Sequence, residues 1–130
     1  MPPRDGRDLA RRLLRRADDD ATLVRRVVDD AHIADAIVGF HAQQTVERSI
    51  KAVLASREIE YGTTHQLHFL IRLLEQHEID APASVLDAVE LNPWAVEFRY
   101  EEDDEPPLDR RATLAFIEEI RAWAGEAVER

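Results

Sequence analysis

Apolar and small residues recur at steps of three and four from the start of the chain, at Leu9, Leu13, Ala17, Ala21, Val24, Val28 and Ala31. That period is one face of an α-helix. The stripe passes Asp18-Asp19-Asp20 without losing phase, which predicts one long helix over about residues 5–30 with these acids on its solvent side. A second stripe, Ile33, Ile37, Phe40, Val46, Ile50, Val53 and Leu54, predicts a helix over about residues 33–57. Gly39 inside it costs about 1 kcal/mol relative to Ala, a penalty that often accompanies close approach of a neighbour.

Residues 58–64 contain Gly62 and read as a loop. Thr63 and Gln66 have the spacing of a capping box. A third helix is expected from about His65 to His77, with Leu67, Leu70, Ile71 and Leu74 on one face. Pro82 and Ser84 open a short fourth helix, which should stop before Asn92-Pro93 because the residue before a proline avoids the helical region. Residues 101–107 read as an acidic loop. A last helix is expected over 108–129, with Leu114, Ile117, Ile120, Trp123, Ala124 and Ala127 buried. No stretch alternates with a period of two. The expected architecture is all-α, an up-and-down antiparallel bundle of four to five helices. It forms one domain over residues 1–130, with a core of about 8–127. Two long helices joined by a short turn should lie antiparallel.

Composition narrows the function classes. The 130 residues contain no Cys, which excludes disulfides, thiolate zinc sites and a Cys nucleophile. No apolar run approaches the ~20 residues that span a bilayer, so no membrane role is expected and the reading is cytoplasmic. The formal net charge is -10, which disfavours RNA as a partner by long-range repulsion. The charge is uneven. Residues 4–16 hold six Arg, whereas residues 101–105 read EEDDE. These blocks read as two solvated surfaces, or as surfaces that meet within the chain, between two copies, or on a partner.

Much chemistry is absent. Four scattered Gly cannot form a phosphate-cradling loop, and none of Ser49, Ser56 and Ser84 sits in a nucleophile elbow. His65 and His68 have a usable metal spacing but no third ligand is placed by sequence. No metal and no cofactor are therefore expected.

One stretch is more specific. Residues 40–51 read FHAQQTVERSIK and continue AVLASREIEYGTTHQL to Leu67. This resembles the HEPN domain family, named for nucleotide binding in prokaryotes and higher eukaryotes. The residues that carry the resemblance are Phe40, Gln43, Gln44, Glu47, Arg48 (where Lys is usual), Lys51, Ala52, Thr64, His65 and Leu67. A further block, Asn92 to Tyr100, resembles the family segment that ends in Arg-Tyr. The resemblance covers about residues 8–127. It implies a bundle of four or five helices, a homodimer, and a nucleotidyltransferase as partner. Some relatives are metal-independent ribonuclease toxins that use an Arg followed after four to six residues by His. Arg99 falls at the Arg of that motif, but Tyr100 to Pro106 supply no His. Arg72 to His77, and Arg25 or Arg26 to His32, match the motif only by letter.

The resemblance thus implies a non-catalytic partner or substrate-recruiting subunit of toxin–antitoxin-like type. The alternative is a ribonuclease toxin using Arg99. Glu47 and Lys51 stand four apart and can pair on one helix face. With Gln44, His65, Arg99 and Tyr100 they form the candidate nucleotide site; the other reading is a buried polar cluster that fixes helix register. Arg99 is expected either to bind an anion or to pair with Glu47.

Overall fold

The two long stripes fold as α1 (Gly6–Val27) and α2 (Asp35–Ser56) in a computed structural model that describes residues 6–94 and 107–130. α3 (Leu67–Gln76) follows, then α4 (Ser84–Asp87), which passes directly into a 3-10 helix over Ala88–Trp94, and finally α5 (Arg110–Glu129). Among the described residues there is no strand.

α1 ends earlier than its periodicity suggests. Asp30 accepts the backbone N–H of His32 through its side chain at 2.9 Å, a local bond that competes with helix continuation. The buried line of α1 is also rotated from the expected one. Ala10, Leu14, Ala17, Ala21 and Val24 are buried, whereas Leu9 is 39% exposed. Leu9-Ala10 and Leu13-Leu14 offer apolar residues at adjacent positions, so sequence period alone leaves the phase open by one residue. Packing between two other helices decides it. Asp20, expected on the solvent face, is buried.

α1 runs antiparallel to α2, as expected: Gly6 abuts the Ala55 carbonyl, and Asp20 meets His41 and Arg48. A side chain at position 6 would collide with that carbonyl, so the start of α1 and the end of α2 touch through backbone. α5 lies antiparallel to α1. Arg11 pairs with Glu129, Asp18 with Arg121, Arg25 with Glu118, and Arg111 with Asp29. These exposed pairs contribute at most about 1 kcal/mol each, so they set register while burial holds the helices together. Ile117, Ile120, Ala124, Ala127 and Val128 supply that burial from α5. Trp123, expected in the core, is only half-buried and donates its indole N–H to the Asp80 carbonyl at 2.9 Å.

Arg110, in the first turn of α5, closes the α1–α2 connection. Its guanidinium pairs with Asp35 at 2.8 Å and donates to the carbonyls of Val27, Asp30 and Ile33. Asp109 caps the helix by accepting the Ala112 N–H at 3.0 Å.

α2 and α3 end in the same way. The Ile59 N–H returns to the Leu54 carbonyl at 3.0 Å and the Glu58 N–H to Ala55, while Ile79 returns to Leu74 at 2.9 Å and Glu78 to Glu75. Both are Schellman motifs, with Glu58 (φ 58) and Glu78 (φ 54) in the left-handed position that usually takes glycine. The expected capping box at Thr63 does not form. α3 starts at Leu67, its N-cap Gln66 makes no side-chain cap bond, and the Thr64 hydroxyl instead accepts the Gln66 N–H at 3.1 Å.

The fourth helix does not stop at Asn92-Pro93 but runs on as a 3-10 helix to Trp94. Trp94 explains why. Its indole lies on Gly39, where a Cβ would come within 2.6 Å of the ring. Gly39 thus serves the close approach expected of it, and that contact anchors a segment whose local preference is weak.

Candidate functional site

Every residue of α2 from Ala42 to Ala55 except Arg48 is buried. A helix enclosed on all sides is normally apolar, and each buried polar group on it needs a partner. α2 instead carries Gln43, Gln44, Glu47 and Lys51 inside the protein.

Gln43, Glu47 and Lys51 follow one another at steps of four and share a face. The Glu47 side chain is 4% exposed. It accepts from the Gln43 amide at 3.1 Å, from the Lys51 ammonium at 3.2 Å, and faces His65 Nδ1 at 3.1 Å. Gln43 also donates to the His65 carbonyl at 3.2 Å, and its own carbonyl oxygen accepts the Gln44 amide at 2.8 Å. Lys51 sits over the Tyr61 ring, 5.4 Å from its centroid. Burial raises the Tyr61 pKa above its ordinary value, and the Glu47 charge raises it further.

The cluster therefore joins α2 to residues 61–65, which run back along it. Of the expected site residues, Gln44, Glu47, Lys51 and His65 are brought together. Arg99 and Tyr100, and with them the expected Arg99–Glu47 pair and the acidic run 101–105, lie outside the described residues. His65 precedes α3, with its side chain 65% exposed, and is the open edge of an otherwise buried group. His68 is exposed on α3. Among the described residues no group of three or more His, Asp or Glu is arranged to hold a metal.

Sequence reasoning missed two members. Gln43 was not among the expected site residues, yet it is fully buried and links Glu47 to the His65 backbone. Its spacing of four from Glu47 was the available signal. Tyr61 carried none. A second cluster was also missed: Asp20 of α1 faces His41 at 2.8 Å and pairs with Arg48. Asp20 and Arg48 are 28 residues apart, so only the antiparallel pairing of α1 with α2 brings them together.

The two letter-level Arg-to-His matches do not form a site. Arg72 is exposed on α3 and His77 is its exposed C-cap, five residues on, where helical spacing puts the two about 140° apart. Arg25 pairs with Glu118, and His32 lies in the α1–α2 connection beside Asp30, with its side chain 98% exposed.

Comparison with known proteins matches residues 10–127 to the family model described as HEPN domain. No curated protein and no solved structure matches the chain. The match takes in α2, α3 and α4, most of α1 and α5, and both polar clusters, and the stretches 40–67 and 92–100 fall within it in order. The chain belongs to the HEPN domain family.

Proposed function

We propose that this protein is a non-catalytic HEPN protein, a homodimeric partner or substrate-recruiting subunit of a nucleotidyltransferase, of toxin–antitoxin-like type. One observation carries the reading. With four to six residues intervening after Arg99, the window holds Asp104, Glu105 and Pro106 where the ribonuclease motif requires His. In-line attack by an RNA 2′-hydroxyl needs a group to take its proton or stabilise the developing charge. Carboxylates there repel the phosphate instead. The substitutes that match by letter are paired elsewhere or point apart.

The Glu47 cluster supports the same reading. Its donors and acceptors are matched to one another, which suits a group that fixes α2 against residues 61–65. His65 is the edge that a nucleotide can reach. Gln44, Glu47, Lys51, Arg99 and Tyr100 stay assigned to that candidate site.

The test has two arms. Purified protein is incubated with RNA in EDTA beside an Arg99→Ala variant, and tagged protein is used to capture the product of a neighbouring nucleotidyltransferase gene. The expected result is no cleavage by either protein and a stable complex. Cleavage that is lost in the variant would make the protein a ribonuclease using Arg99. Failure to bind any nucleotidyltransferase would remove the partner role.

A further inference from the structure

The outer face of α1 reads nearly the same in both directions. Leu9 and Leu23, 39% and 36% exposed, are 14 residues apart, which is about 21 Å along the axis and within about 40° around it. Arg16 lies midway between them. Arg12 follows Leu9 by three, and Asp19 precedes Leu23 by four. Arg12, Arg16 and Asp19 are exposed and form no ion pair among the described residues.

Each leucine belongs to a patch. Leu13, half-buried, lies beside Leu9. Half-buried Val27 lies beside Leu23, one turn along the same face. The face thus has an apolar patch at each end and a charged centre that is basic toward one end and acidic toward the other.

We infer that this face is the contact between two copies of the chain, with α1 crossing α1 of the partner copy antiparallel about a two-fold axis at Arg16. A two-fold contact is self-complementary, so each group must find its match on the same surface reversed. Reversal about Arg16 places Leu9 over the second copy's position 23 and Arg12 beside its position 19. The Leu9–Leu13 patch meets the Leu23–Val27 patch, and the opposite charges pair twice. At the axis Arg16 faces its own copy, a like-charge contact that the two opposite-charge pairs and the two apolar contacts must outweigh. The inference rests on the homodimer reading above and adds where the contact lies.

The absence of cysteine from the chain gives a clean assay. A single Arg16→Cys substitution places the new thiol at the axis beside its own copy, where it is expected to form a disulfide-linked dimer under mild oxidation. Arg72→Cys, exposed on α3, is the control and is expected to stay unlinked. In light scattering at tens of micromolar the unmodified chain is expected to be dimeric. Arg12→Asp and Asp19→Arg are each expected to weaken the dimer by about tenfold, and to restore it together, because two exposed pairs are lost and then rebuilt. All these positions are exposed, so circular dichroism should be unchanged. A dimer whose cysteine at position 16 does not link, or whose charge reversals do not compensate, overturns this contact and leaves the homodimer reading standing. A monomer overturns both.

Discussion

Glu58 and Glu78 occupy equivalent positions at two different helix ends, each in the left-handed conformation and each followed by an isoleucine whose N–H returns to a leucine carbonyl five residues back. The local sequences match, Leu54 to Ile59 and Leu74 to Ile79, with only the Leu, Glu and Ile shared at the positions that matter. Non-glycine residues in this conformation cost about 1–2 kcal/mol. Glycine removes that strain but loses about 0.5–1 kcal/mol to chain entropy. Glu58→Gly and Glu78→Gly are each expected to stabilise by about 0.5–1 kcal/mol, additively. Urea denaturation of the single and double variants checks this.

Glu47→Ala should be severe. It leaves the Lys51 ammonium, 11% exposed, without its counter-charge, and breaking a buried pair from one side costs about 3–5 kcal/mol. The double variant Glu47→Gln, Lys51→Met should recover most of the loss, since the charge that needs a partner is gone. Thermal melts of the two variants distinguish a framework pair from a binding pair, because a binding pair would tolerate either substitution.

Tyr61 ties the same cluster to alkaline stability. Its pKa is raised above 10.0 by burial and then by the Glu47 charge, so the folded state favours the neutral phenol. The stability this provides is complete below pH 10.0 and is lost as pH rises through the folded-state value. Melting temperature should fall on the alkaline side more steeply for the parent than for Tyr61→Phe. Equal slopes would sink the assignment.

Arg110→Ala removes one ion pair and leaves three carbonyls without their shared donor. Hydrogen bonds to charged groups contribute about 1.5–3 kcal/mol each, and exposed ones less, so a loss of at least about 3 kcal/mol is expected. Arg110→Lys should recover only part, because one ammonium lacks the planar fork that reaches several acceptors. Hydrogen exchange at residues 28–34 should accelerate in both variants, more in Ala.

The helices were legible where period was the only question. α1, α2, α3 and α5 all appear within a few residues of their expected bounds. The phase of α1 was not legible, because Leu-Ala and Leu-Leu allow two phases and its neighbours choose between them. Asp20 looked like solvent face and is buried, since its partner Arg48 is far along the chain. The step of four from Gln43 to Glu47 to Lys51 was readable, while Tyr61 was not. Pro93 misled because the preference against helix before proline is small beside the anchoring of Trp94 on Gly39.

The position of Arg110 has a bearing on synthesis. Chains emerge from the ribosome N-terminus first, and domains complete when their last essential contact arrives. Here the turn between the first two helices is fastened by a residue that is translated about 75 positions later than its partner Asp35. The leading hairpin must therefore wait, with its carbonyls open to water, until the C-terminal helix leaves the exit tunnel, and truncated chains that lack α5 should be recognised by quality-control proteases.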